Sequence, residues 1–200
     1  MEALIMAGGK GTRMRELNVE KPMIKIGGTC VVERVIRALR EAKMVDEILV
    51  SVSPNTPNTG IYLNELGVRT VKTSGGDYVD DLHKSFSELE GDYVLCLPSD
   101  VPLIKSCTID SFIEHFDKNR NDSVMAIVEE DMVIKTGIKP SYSFELDGKR
   151  WAISGMSIMN RRKLLDNKVL SCGYFVLNRI DLAINVNTQR ELEVANSFLR

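Results

Sequence analysis

Histidine, tryptophan and paired cysteines are scarce in this chain, and each scarcity closes off a class of chemistry. His83 and His115 are the only imidazoles in 200 residues. Neither lies at ligand spacing from a cysteine, which argues against structural zinc; both read as solvated helix residues rather than catalysts. The four cysteines, Cys30, Cys96, Cys107 and Cys172, form no C-x-x-C pair. A chain of this length needs no disulfides to hold its core, so reduced thiols in a cytoplasmic protein are expected. Excess charge is lacking too: the net charge is −2. With no aromatic–basic pattern beside it, a nucleic-acid partner is disfavoured. No apolar run approaches the roughly 18 residues of a membrane span. The first apolar run is short and meets glycines and charges too soon for a secretory signal. No repeat, low-complexity segment or interdomain linker appears.

What is present is an ordinary globular balance, 44% hydrophobic and 27% charged. That is enough for a single domain over residues 1–200 with a substantial core. Its most telling stretch comes first. An apolar run over residues 2–7 empties into Gly8-Gly9-Lys10-Gly11-Thr12-Arg13-Met14, with Lys21-Pro22 soon after. Glycines let a backbone approach a ligand closely, and N–H groups beside cations suit a phosphate. Two familiar phosphate loops do not fit. G-x-x-x-x-G-K followed by Ser or Thr is absent. G-x-G-x-x-G begun at Gly9 meets Met14 at its third glycine.

The spacing downstream alternates strand and helix. Strands are expected at residues 2–7, 47–52, 68–72, 93–97 and 123–128. Helices are expected at 30–42, 59–66, 78–89, 108–119, 160–168 and 189–198, the last opened by a Thr188-x-x-Glu191 capping box. A hairpin is expected over 142–153, turning at Asp147-Gly148. Such alternation predicts an α/β fold: a Rossmann-like, three-layer α/β/α sandwich on a mostly parallel sheet. Ligands of such sheets bind beyond the carboxyl ends of the strands. The loops at 8–13, 53–57, 73–76 and 99–102 all follow strands, so they should share one rim.

The string Gly8-Gly9-Lys10-Gly11-Thr12-Arg13-Met14 with Lys21-Pro22 resembles the signature of the nucleotidyltransferase-A-like family, G-G-x-G-T-R followed by Met or Leu and later K-P. The resemblance implies transfer of an NMP group from an NTP to a phosphate, with pyrophosphate released. It implies as well that the N-terminal half binds nucleotide and the C-terminal half the acceptor. Such a reaction needs no covalent catalyst, only two anions held in line and their charge neutralised. Arg13 and Lys21 are the right types for that work, and Asp100 completes the catalytic set. The nucleotide set is Ala7, Gly8, Gly9, Lys10, Gly11, Thr12, Arg13, Ser53, Thr73, Ser74, Gly75, Asp80 and Ser99. The resemblance also implies Mg²⁺ as cofactor, held by Asp100 in Ser99-Asp100-Val101-Pro102 and by Asn185 in Asn185-Val186-Asn187-Thr188. An amide ligand carries no charge, so metal should bind weakly without nucleotide. Guanine presents donors at N1–H and its amine, and Asp80 or Asp81 could accept from them; alternatively these acids only lead a helix.

Further strings narrow the resemblance to one branch, the archaeal-type adenosylcobinamide-phosphate guanylyltransferases. They are Ser53-Pro54-Asn55-Thr56-Pro57, T-S-G-x-x-Y-x-x-D-L from Thr73, Ser154-Gly155-Met156-Ser157 and N-x-N-T from Asn185. That branch implies GTP as co-substrate and a corrinoid phosphate as acceptor. Lys21 and Gly155 would contact the substrate, with a homodimer left open. Residues 15–19 are bulkier than the glycine-rich stretch common in the family. A sugar-1-phosphate or a molybdenum-cofactor precursor is the alternative acceptor; a non-catalytic nucleotide-binding regulator is the alternative class. Trp151 and the nine methionines read as core, and residues 160–163 as a solvated basic face.

Overall fold

A computed structural model of the chain describes residues 1–118 and 120–199, and the side chains of all of these except Arg15 and Glu16. In chain order the first half holds β1 (Glu2–Met6), β2 (Lys25–Ile26), β3 (Thr29–Cys30), α1 (Val31–Glu41), β4 (Glu47–Val52), α2 (Pro57–Glu65), β5 (Arg69–Lys72) and α3 (Tyr78–Ser87). Then come β6 (Tyr93–Pro98), α4 (Ser106–Glu114), β7 (Ser123–Glu129), α5 (Glu130–Lys135), β8 (Ser143–Leu146) and β9 (Lys149–Asn160). The chain closes with α6 (Arg161–Leu165), β10 (Cys172–Val176), α7 (Ile180–Ala183) and α8 (Gln189–Ser197).

The main sheet runs β10-β7-β9-β6-β1-β4-β5, with β8 paired to β9. β5, β4, β1 and β6 are mutually parallel. β9 is antiparallel to both of its neighbours, β6 and β7. This is the mostly parallel α/β architecture that the alternation predicts. Residue parity in β1 builds the layers. Ala3 and Ile5 join the face packed by α1, while Leu4 joins Leu82 and Phe86 of α3 on the other. Val31, Val32, Val35, Ile36 and Leu39 of α1 are all buried. Each such side chain contributes about 1.5–3 kcal/mol through burial.

Expected elements recur with small shifts that have physical causes. Residue 42, expected as the end of α1, is an extended C-cap. α4 begins two residues earlier than expected because Asp181 caps it from afar: Lys105 N and Thr108 Oγ1 donate to its Oδ2 at 3.0 and 2.6 Å. It ends at Glu114, and the expected end at Asn119 lies outside the described residues. The Asp147-Gly148 turn is present, with φ of 52° and 71°, the left-handed pair that a two-residue hairpin needs. Beyond it β9 runs twelve residues rather than three. A strand flanked on both edges within a covered sheet shows little of the alternation that marks a half-exposed one. Trp151 is buried, its Nε1 donating to Leu146 O at 3.3 Å.

From β1 the chain moves to β4 and β5 on one side, then returns to β6 on the other. The strand order therefore reverses at β1, and the crevice beyond the carboxyl ends of β1 and β6 is where such sheets take ligands. The glycine-rich loop leaves β1 there, and Ser99 and Asp100 leave β6. Among the described residues no helix is long and apolar enough to cross a membrane.

Candidate active site

The loop after β1 opens directly onto that crevice. Ala7, Gly9, Gly11, Thr12 and Arg13 line a cavity of about 200 Å³ together with Lys21, Ser99, Asp100 and Asn187. Lys10 is exposed and lines a wider adjoining groove of about 760 Å³, which also includes Gly9, Gly11, Lys21 and Asn55. The segment carrying Lys21 is anchored by its neighbour. The Glu20 carboxylate accepts from Asn58 N and Thr59 N, at 2.8 and 2.7 Å, at the start of α2. It also accepts from Asn58 Nδ2 and Thr59 Oγ1, at 2.9 and 2.6 Å. A carboxylate at a helix N-terminus satisfies otherwise unpaired donors, and here it fixes Lys21 to the scaffold.

Four side chains meet at the crevice floor. Lys21 Nζ forms an ion pair with Asp100 and donates to Asn187 Oδ1 at 2.7 Å. Arg13 Nη2 donates to the same amide oxygen at 3.2 Å. A neutral acceptor holds both cations without cancelling either charge. Asn187 is itself fixed: its backbone N–H donates to the Glu191 carboxylate, and its Nδ2 donates to Ser141 Oγ at 3.4 Å. The expected capping box is thus offset. Thr188 Oγ1 accepts from Glu191 N at 3.3 Å, but Glu191 reaches Asn187 rather than Thr188.

Asn185 lies on the other side of Asp100. Its Nδ2 donates to Asp100 Oδ1 at 3.0 Å and to Ser154 O at 3.3 Å. Both partners are pure acceptors, which fixes the amide with its nitrogen inward. Asn185 therefore orients Asp100 in this arrangement. Val186 N donates to Asp100 O at 2.8 Å, tying the two loops together. Mg²⁺ commonly binds through one or two carboxylates, completing its six oxygens from substrate phosphates and water. One oriented carboxylate among cations fits that mode, with phosphates supplying most of the ligands.

The expected rim is real, but several of its side chains face inward. Ser53 Oγ donates to Gly8 O at 2.7 Å. Thr73 Oγ1 lies 3.2 Å from both Ser51 Oγ and Val52 O. Both residues are buried and brace the loops. Asn55 Nδ2 bridges them, donating to Gly8 O at 3.2 Å and Gly75 O at 3.0 Å. Gly75 has φ +67°, and a Cβ there would lie 2.3 Å from Asn55 Nδ2, so only glycine fits. Asp80 is exposed at the start of α3, whereas Asp81 is buried.

A second cavity of about 230 Å³ extends toward the C-terminal half. Arg13, Asp100, Asn185 and Asn187 line it together with Val133, Ile138, Lys139, Tyr142 and Leu182. Gly155 lies in its wall with φ +87°, where a Cβ would sit 2.9 Å from Pro98 Cγ. β9 pairs with β6 only over residues 157–160; beyond that ladder Gly155 packs directly against Pro98, next to the loop that carries Asp100.

The sequence reading missed Glu20, Asn55, Asn187 and Lys139 as site residues. Glu20 and Asn187 stand beside Lys21-Pro22 and within N-x-N-T, where the signal lay in the motif but not in the side chain's partners. Lys139 follows no motif and reaches the site only through the fold.

The MobA-like NTP transferase domain matches residues 3–163. An adenosylcobinamide-phosphate guanylyltransferase from Methanocaldococcus jannaschii is 31% identical over 207 residues, spanning 100% of this chain and 98% of that one. Among solved structures, a nucleotidyl transferase from Methanothermobacter thermautotroptrophicus has 21% identity and a TM-score of 0.68, covering 100% of this chain and 97% of the other. A CMP:2-keto-3-deoxy-manno-octonic acid synthetase complexed with CTP has 13% identity and a TM-score of 0.75, again covering 100% and 97%. These two share the fold.

Proposed function

The chain belongs to the MobA-like NTP transferase domain family and is a nucleotidyltransferase; from that premise we propose that it transfers GMP from GTP to adenosylcobinamide phosphate. The observation that carries the proposal is a shared wall. Arg13, Asp100 and Asn187 line both the cavity under the glycine-rich loop and the cavity toward β9. A donor in one and a phosphate acceptor in the other would meet at these residues. The full-length similarity to a guanylyltransferase of that acceptor supports the choice of substrates.

In this reading an acceptor phosphate oxygen attacks the α-phosphorus of GTP. The P–O bond to the bridging oxygen breaks, and pyrophosphate leaves with the electron pair. The nucleophile is already anionic, so no general base is needed. Lys10, Arg13 and Lys21 neutralise charge that builds on the α-phosphate and the leaving group. Asn187 keeps Arg13 and Lys21 aimed at one point. Bound Mg²⁺ would be held by Asp100 and would supply further charge neutralisation at the phosphates. Asn185 holds Asp100 in place for it.

The acceptor cavity is small for a whole corrinoid, since pockets enclosing even drug-sized ligands run to about 300–1,000 Å³. It suits the phosphate and the linker behind it, with the ring resting outside near the exposed Tyr142. Lys139 and the apolar wall of Val133, Ile138 and Leu182 match that mixed chemistry. The direct test is mass spectrometry of a reaction with GTP, Mg²⁺ and adenosylcobinamide phosphate. The expected product is adenosylcobinamide-GDP. Its absence, under conditions where another phosphate acceptor is guanylylated, would overturn the acceptor assignment.

A further inference from the structure

The N-cap and first turn of α3 carry three aspartates in five residues, and each has a different surrounding. Asp77 caps the helix, accepting from Val79 N at 2.7 Å and Asp80 N at 3.1 Å. Asp80 is exposed. Asp81 is buried, and its carboxylate turns back under the loop that precedes its own helix. It accepts from Ser74 N at 3.0 Å and Ser74 Oγ at 2.9 Å, and from Gly75 N at 3.1 and 3.0 Å through its two oxygens. The opposite side of that loop is fixed by Asn55, which holds Gly75 O.

In a planar trans peptide the C=O points opposite to the N–H. Pinning the N–H groups of Ser74 and Gly75 onto Asp81 therefore turns the carbonyls of Thr73 and Ser74 away from it. Those carbonyls are acceptors only. They complement a base edge that offers donors, as guanine does with N1–H and its amine, and repel an edge that offers an acceptor, as adenine does at N1. We propose that Asp81 is a positioning residue for base selection, holding the backbone of Ser74 and Gly75 so that the loop presents acceptors to the nucleobase. The inference rests on the guanylyl-transfer reading above. It assigns Asp81 to the loop itself and leaves the base contact to the carbonyls and Asp80.

Asp81→Asn replaces one acceptor oxygen with an amino group, which would face a backbone N–H of the loop. Loss of a buried charged hydrogen bond of this kind should raise the GTP KM about tenfold and lower the GTP:ATP preference by a similar factor, with kcat changed less than about twofold. Inorganic tripolyphosphate carries no base, so its inhibition constant should stay as in wild type. Ser74→Ala removes only the hydroxyl donor and should move KM and preference the same way by about threefold; it serves if Asp81→Asn does not fold. An unchanged GTP KM and preference overturns the inference, as does an equal shift for GTP and tripolyphosphate. A wild-type enzyme without GTP preference would instead overturn the guanylyl reading, before any variant is compared.

Discussion

Lys21 Nζ sits 2.7 Å from Oδ1 of Asn187, residues 166 positions apart in sequence. The same oxygen receives Arg13. One neutral amide thus sets the separation of two cations that come from the loop after β1. Asn187→Ala should leave both charges in place but unaimed, lowering kcat/KM about tenfold to a hundredfold. Asn187→Asp should cost more, because it adds a negative charge where phosphate must bind. Steady-state kinetics of the two variants gives the order; an aspartate variant as active as wild type would contradict it.

Asp100 is held by Lys21 and by Asn185. A metal ion approaching Asp100 without nucleotide must displace the Lys21 ammonium from the carboxylate, whereas a triphosphate offers that ammonium a new anion. Mg²⁺ alone should therefore bind in the millimolar range or weaker, and more than tenfold tighter with a non-hydrolysable GTP analogue present. Calorimetry with and without the analogue measures both. Asp100→Ala and Lys21→Ala should each lower kcat/KM at least about a hundredfold while circular dichroism remains native.

Gly155 and Pro98 pack so closely that a methyl group between them would overlap. Gly155→Ala also forces a non-glycine residue to φ +87°. The expected cost is about 1–3 kcal/mol in stability, seen as a lower melting temperature. Pro98 ends β6 directly before the loop that carries Asp100, so transfer should fall as well. A variant with native stability and activity would show that β9 relaxes around the methyl.

Acid should destabilise the fold through particular carboxylates. The hydrogen bond from the Tyr62 hydroxyl holds the Glu33 carboxyl below its ordinary value, aided by Arg37. Lys163, then the Ser171 N–H, does the same for Asp122; Arg150, then Ser143, does it for Glu130. A carboxylate with a depressed folded pKa stabilises the native state above its unfolded pKa, and that stability is lost as pH falls through the folded value. Melting temperature should be flat from about pH 7 to pH 5 and fall below about pH 4. Tyr62→Phe should weaken the Glu33 part of that dependence.

Much of the N-terminal half was legible because its information is local. The run Ala3-Leu4-Ile5 and the residues after it show a buried strand, glycines and cations in a few positions, and α1 displays its stripe in six residues. The ordering of strands and loops then put the loop at 99–102 on the same rim as the loop at 8–13, and the family resemblance singled out Asp100 within it; the pairing with Lys21 came from the fold. The C-terminal half was less legible because its determinants are distant. Asp181 caps α4, Glu191 fixes Asn187, and β9 conceals its length by lying between two strands. Asn185 shows the limit most clearly. Its type and place in N-x-N-T fit a ligand, but only the pair of acceptors at Asp100 and Ser154 shows that its nitrogen faces inward. Asp81 is similar: three neighbouring aspartates look alike in sequence and differ only in what surrounds them.

The central claim is that one crevice joins GTP to a corrinoid phosphate. Pyrophosphate release from each of the four ribonucleoside triphosphates, with and without adenosylcobinamide phosphate, measures it most directly. The account predicts release from GTP above all others, and only when the cobinamide phosphate is present. Release that prefers another nucleotide, or that proceeds from GTP equally well without the acceptor, would contradict it.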